Sequence, residues 1–170
     1  MQTKKLVFLA IMLGVSVVLN IVERIAVQGF SGLPMIRLGL ANIVVLILLY
    51  IYGRKDAFSV LFLRILLVGF VTGLLSPSFL LSFSGGLVAF SLMVLFKRLP
   101  GFSIISVSVM GSLGHAVGQI VMAVFILKTS EIVYILPILT AISIPTGIFT
   151  GLVARKLINL MEDQFAFSLM

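Results

Sequence analysis

Cysteine is absent from the 170 residues, which excludes a disulfide framework, a thiolate nucleophile and a cysteine-held metal site. Acidic residues are nearly absent: Glu23, Asp56, Glu131, Glu162 and Asp163 are all there are. They form no aspartate-rich cluster able to hold several magnesium ions, so metal-dependent diphosphate chemistry by this chain alone is excluded and no cofactor is expected. No G-x-x-x-x-G-K-[ST] phosphate loop occurs, which removes ATP hydrolysis. The single histidine, His115, has no carboxylate or cysteine beside it in sequence, which disfavours hydrolase chemistry, although pairing in space with Glu23 stays open. Long polar segments are missing too, so no soluble domain is expected.

What is present is apolar. Hydrophobic residues make up 61% of the chain and charged residues 10%, against about half and a quarter in soluble domains. An integral membrane protein is the consequence. A bilayer core of about 30 Å takes roughly 20 helical residues. Six runs approach that length, at about 6–26, 34–52, 57–75, 79–96, 103–127 and 133–157, all within one domain. Short connections with Gly and Pro predict antiparallel neighbours in an all-α, six-helix bundle. Lys4 and Lys5 precede the first run as in a signal peptide, but the run is too long and no A-x-A-like site follows, so it reads as a span.

The formal charge of +7 is spread in pairs between apolar runs, which points to topology and away from nucleic acid. Lys4, Lys5, Arg54, Lys55, Lys97, Arg98, Arg155 and Lys156 fall on one side, and Arg24, Arg37 and Lys128 on the other. The positive-inside rule then puts both termini in the cytoplasm of a plasma-membrane protein.

That orientation assigns depths to the polar residues. Ser16, Asn20 and Glu23 share one face of the first helix, and Asn42 follows the loop "VQGFSGLPMIR". Ser108, Ser112, His115 and Gln119 form a stripe on the fifth. Asn20, Glu23, Arg37, Asn42, His115 and Gln119 are therefore the expected substrate-binding residues of an outward-facing pocket. The competing reading is that such groups are interhelical glue. Arg64, about 10 Å into the third span, either snorkels to the inner surface or serves as an anion contact or hinge. Glycines at four-residue spacing favour close helix packing. In "LAIMLG", Ala10 and Gly14 take that spacing on the face opposite Ser16, where they meet either a partner or a neighbouring helix of the same bundle.

The stretches "RLGLANIVVL", "LRILLVGFVTGLLSPSFLLSFSGG", "GSLGHAVGQIV" and "YILPILTAISIPTGIFTGL" resemble the bacterial Gx transporter family, also called heptaprenyl diphosphate synthase component I. That family in turn is similar to the substrate-binding S components of energy-coupling factor (ECF) transporters. The resemblance implies capture of a small vitamin-like or isoprenoid-related molecule, with Ala10 and Gly14 docking to a transmembrane coupling subunit that works with two ATPase subunits. Its enzyme-component label implies an alternative, a non-catalytic membrane accessory to a prenyl diphosphate synthase.

Overall fold

Inside lipid every backbone N–H and C=O must be satisfied within the protein, and a helix does this residue by residue. Helix is the regular structure throughout the described residues, 2–31 and 39–167 of this computed structural model. In chain order the helices are α1 (Gln2–Ser31), α2 (Asn42–Ile51), α3 (Arg54–Thr72), α4 (Pro77–Arg98), α5 (Ile104–Leu127) and α6 (Leu136–Phe167). A short 3-10 helix, Glu131–Ile135, leads into α6.

The expected all-α bundle is what the chain forms, but the lengths differ from the expected spans. Segments of α1, α4, α5 and α6 are long and apolar enough to cross a membrane. The third helix has 19 residues, yet it opens on Arg54, Lys55 and Asp56 and carries Arg64 within it. The second has only 10 residues, about 15 Å, which is half the apolar thickness of a bilayer. The span expected at 34–52 therefore begins as helix only at Asn42, and residues 32–38 lie outside the described part.

Local sequence explains the boundaries. The Ser76 hydroxyl accepts from the Phe79 N–H at 3.2 Å, with Pro77 in the first helical position, so α4 starts on a capped, preorganised turn. Ser103 caps α5 in the same way through the Ser106 N–H. Between α2 and α3 the backbone reverses at Gly53, whose φ of +89° suits a residue without a Cβ.

The short α2 is the centre of the core. Val44 through Leu49 are all buried, against Val60 and Leu61 of α3, Ala89 and Met93 of α4, Val107 of α5, and Ala154 and Ile158 of α6. A helix that is apolar all round belongs in that position. Around it α4, α5 and α6 pack through glycines. A Cβ on Gly118 of α5 would sit 2.8 Å from the Ser84 carbonyl oxygen of α4. One on Gly147 of α6 would sit 2.7 Å from Val109 Cα of α5, and one on Gly151 2.8 Å from Ile105 Cα. The Ser84 hydroxyl also donates to the Gly118 carbonyl at 2.7 Å.

By contrast, α1 packs only along one side, against α3 and α2, and turns Leu6, Ile11, Val18 and Ile25 outward. Phe70 and Phe125 are likewise 70% and 75% exposed, a surface suited to lipid. At one end of the bundle Lys5 pairs with Asp56 at 2.8 Å and the Lys97 ammonium donates to the Leu49 carbonyl at 2.6 Å. Those contacts gather Lys5, Arg54, Lys55, Lys97 and Arg98 at that end.

Glycine contacts of such different kinds give opposite expectations for one substitution. Gly118→Ala forces two backbones apart and lowers stability by about 1–3 kcal/mol. Gly14→Ala, where an added Cβ meets nothing within 4 Å, is neutral or gains up to about 1 kcal/mol of helix propensity. Thermal unfolding of the two variants in detergent checks this, and equal losses would contradict the packing described.

Candidate functional site

The site begins on α1. Ser16, Asn20 and Glu23 project from one face, and Glu23 is only 3% exposed. Its two carboxylate oxygens accept from consecutive backbone N–H groups, Gly39 at 2.5 Å and Leu40 at 2.9 Å. Gly39 has φ of +78°, and a Cβ there would lie 3.1 Å from the Asn42 Nδ2 and 3.7 Å from the His115 ring. Glu23 thus holds the backbone that leads into α2 in a left-handed turn that glycine adopts without strain.

Arg64 comes up from α3. It lies ten residues after the first residue of α3 and seven after Ala57, where the expected span begins. At 3% exposure it does not snorkel to the basic end. Its Nη1 donates to the Ser16 hydroxyl at 3.4 Å and its Nη2 to the Asn42 Oδ1 at 3.2 Å. Both of these are long for charged donors.

From the other side come α4 and α5, and two glycines make their meeting possible. A Cβ on Gly85 would lie 2.9 Å from His115 Cε1 and Nδ1 and 3.0 Å from Gln119 Cγ. On Gly86 it would lie 3.9 Å from the Arg64 Nη2. Gly85 is therefore a bare floor on which His115 and Gln119 rest directly, while Gly86 faces Ile65 and Leu61, with Arg64 just beyond. Gln119 is 2% exposed, and neither its Oε1 nor its Nε2 has a hydrogen-bond partner among the described residues. The same holds for the Asn42 Nδ2, the Ser82 Oγ and the Asn20 Oδ1. Buried amide groups without partners are expensive, and native structures hold few of them.

The structure thus brings Glu23, Asn42, His115 and Gln119 together, with Arg64 and Ser16 added. Asn20 stays on the same α1 face. Arg37 lies outside the described residues. Ser108 and Ser112, grouped with His115 and Gln119 by spacing, are turned to a different task. The Ser108 hydroxyl shares a 2.9 Å hydrogen bond with Thr150 of α6, and Ser112 packs against Gly147. Those two are interhelical glue. Ala10 and Gly14 are exposed, so they do not pack within the bundle.

Spacing gave no sign of an apolar groove of about 330 Å³ between α1, α2 and α6. Met12, Val15 and Leu19 line it from α1, Ile43 and Ile47 from α2, and Phe149 from α6. At about 100° per residue these α1 side chains form the stripe next to Ser16 and Glu23. Leu40, whose N–H is held by Glu23, also lines the groove. The polar cluster and the groove are therefore neighbours along α1. A site of a few hundred cubic ångströms with few polar groups is of the size and character that takes small molecules.

A family model described as heptaprenyl diphosphate synthase component I matches residues 12–157. The chain belongs to that family. The matched region of this family contains Glu23, Asn42, Arg64, His115 and Gln119 and leaves Ala10 outside. Neither the curated proteins nor the solved structures yielded a match.

The Glu23 clamp can be tested by itself. Glu23→Gln puts an NH2 donor against one of the two backbone N–H groups, so stability falls by about 1–3 kcal/mol. Amide exchange at Gly39 and Leu40, followed by mass spectrometry, then speeds up. Wild-type exchange and wild-type stability in that variant would show that the carboxylate does not hold this turn.

Proposed function

We propose that this chain is a non-catalytic membrane subunit that binds a small amphiphile, its polar head in the Arg64 cluster and its apolar part in the adjoining groove. The observation that carries this reading is the Gln119 amide, buried without a partner among the described residues next to His115, whose ring lies near the Gly39 turn leading to Asn42 and its Arg64 contact. Such a set offers amide donors and acceptors next to a permanent cation, which suits an anionic or strongly polar head. The neighbouring groove offers no charge and accommodates hydrocarbon.

The family name describes one component of a synthase, which implies a protein partner. It supports the reading that the subunit presents or retains an isoprenoid diphosphate for a prenyl diphosphate synthase. Catalysis then belongs to the partner, because five acidic residues, with Glu23 engaged in a backbone turn, leave no carboxylate set for magnesium. The basic end of the bundle supports a plasma-membrane orientation with both termini in the cytoplasm.

A second reading is favoured by one observation, the exposed Ala10–Gly14 face of α1. It is that of a substrate-capture subunit of an ECF-type uptake transporter, docked through this face to a coupling subunit with two ATPases. Small residues allow the close helix approach such docking needs.

Titration of the detergent-purified protein with farnesyl diphosphate, farnesol and inorganic diphosphate tests the shared part. Arg64→Gln is expected to weaken farnesyl diphosphate binding about tenfold or more, equivalent to about 1.4 kcal/mol, and Gln119→Ala several-fold. Equal binding by wild type and both variants would remove the site. Where binding holds, a change in the rate or product length of a prenyl synthase on adding the protein supports the accessory reading. Absence of that change, together with ATP-dependent uptake lost in Ala10→Leu and Gly14→Leu, supports the transporter reading.

A further inference from the structure

A second cavity lies at the other end of α2 from the Glu23 clamp, about 15 Å away along the helix. It has a volume of about 270 Å³ and is lined by Leu49, Gly53, Arg54, Val94, Lys97 and Arg98. Three of those six residues are cations and none is acidic. Asp56, the one carboxylate in the first turn of α3, is already engaged by Lys5 at 2.8 Å.

Lys97 is fixed in this cavity from two sides. The Gly53 N–H bonds to the Leu48 carbonyl, and the neighbouring Leu49 carbonyl takes the Lys97 ammonium at 2.6 Å. The same ammonium lies 4.5 Å from the centre of the Tyr50 ring. An ammonium has three donors, so capping α2 leaves further donors to face the cavity. Arg54 and Arg98 are exposed at its rim, each with a planar fork of donors that matches two oxygens of a phosphate. Arg54 is also the first residue of α3, so the positive end of that helix dipole adds to the field at the wall.

We propose that this cavity binds a phosphate group, with Lys97 as the fixed floor and Arg54 and Arg98 closing over it. Its position at the basic end of an apolar bundle puts it at the depth of lipid headgroups, where basic pockets between helices meet anionic lipids. A phospholipid headgroup and free inorganic phosphate carry the same recognisable chemistry, and the experiment separates them. The site is independent of the Arg64 cluster and does not rest on its function.

Native mass spectrometry of the full chain in neutral detergent, with dioleoyl phosphatidylglycerol, dioleoyl phosphatidylcholine or inorganic phosphate added, is the test. Phosphatidylglycerol is expected to bind at least tenfold more tightly than phosphatidylcholine. The double substitution Arg54→Gln with Arg98→Gln should remove that preference. Both arginines are exposed, so the melting temperature without lipid should stay at the wild-type value and exclude misfolding as the cause. Lys97→Arg keeps the charge and should retain more of the preference than Lys97→Gln. Saturable binding of inorganic phosphate that competes with phosphatidylglycerol and is lost in the double variant assigns the site to phosphate from solution as well. Equal binding of both lipids, or a preference unchanged in the double variant, overturns the proposal.

Discussion

A carboxyl group buried among apolar helices has to be solvated by something other than water, and here two backbone N–H groups contribute. Glu23 is 3% exposed, and both its oxygens are taken by the N–H groups of Gly39 and Leu40. Burying a polar group costs free energy unless hydrogen bonds replace its hydration. The need for those two donors therefore fixes the path of the chain as it reaches α2. Gly39 can take the required left-handed φ, and Asn42 follows at once as the first residue of the helix. From that point the placement of Asn42 against Arg64, and of the Gly39 turn against the His115 ring, follows.

The rest of the polar cluster obeys the same rule from the other side. His115 and Gln119 lie in a helix whose neighbours are apolar, and the space they occupy exists because α4 has no side chain at Gly85. Alanine at position 85 would need the volume that the imidazole now fills. Polar side chains at this depth are held between bare backbone on one face and the Glu23-ordered turn on the other. That arrangement concentrates donors and acceptors in a small region of low polarity, where each is worth more to a ligand than it would be in water.

Much of this could be read in the sequence, and the exceptions have physical causes. The bundle class followed from apolar runs, and the shared face of Ser16 and Glu23 followed from helical spacing. The length of α2 did not, because Leu38, Leu40 and Ala41 carry the apolar run up to Asn42 while the helix itself begins only there. The charged first turn of α3, Arg54 to Asp56, is helix although the apolar run starts only at Ala57, because charged residues carry no apolar signal and helix needs none. Ser108 and Ser112 share a spacing with His115 and Gln119, yet they meet α6 while the latter meet α4. A stripe on one helix says which residues point together, and only the crossing of two neighbours along its length says what each part of the stripe meets. The apolar groove is made of ordinary Leu, Ile, Val, Met and Phe from three helices, and no spacing distinguishes those from core.

The two halves of the chain are joined by seams of different kinds. Between α4, α5 and α6 backbone lies on backbone at Gly118, Gly147 and Gly151, and at those points the glycine itself has no side chain that could change rotamer to let the helices slide. Around α1 the contacts are made by its side chains, on one flank only, and an open groove separates it from α6. Rotamers adjust at little cost, whereas backbone contacts either hold or break. Mechanically the chain is a stiff three-helix plate carrying a compliant strut, and movement of that strut would carry Ser16 and Glu23 with it.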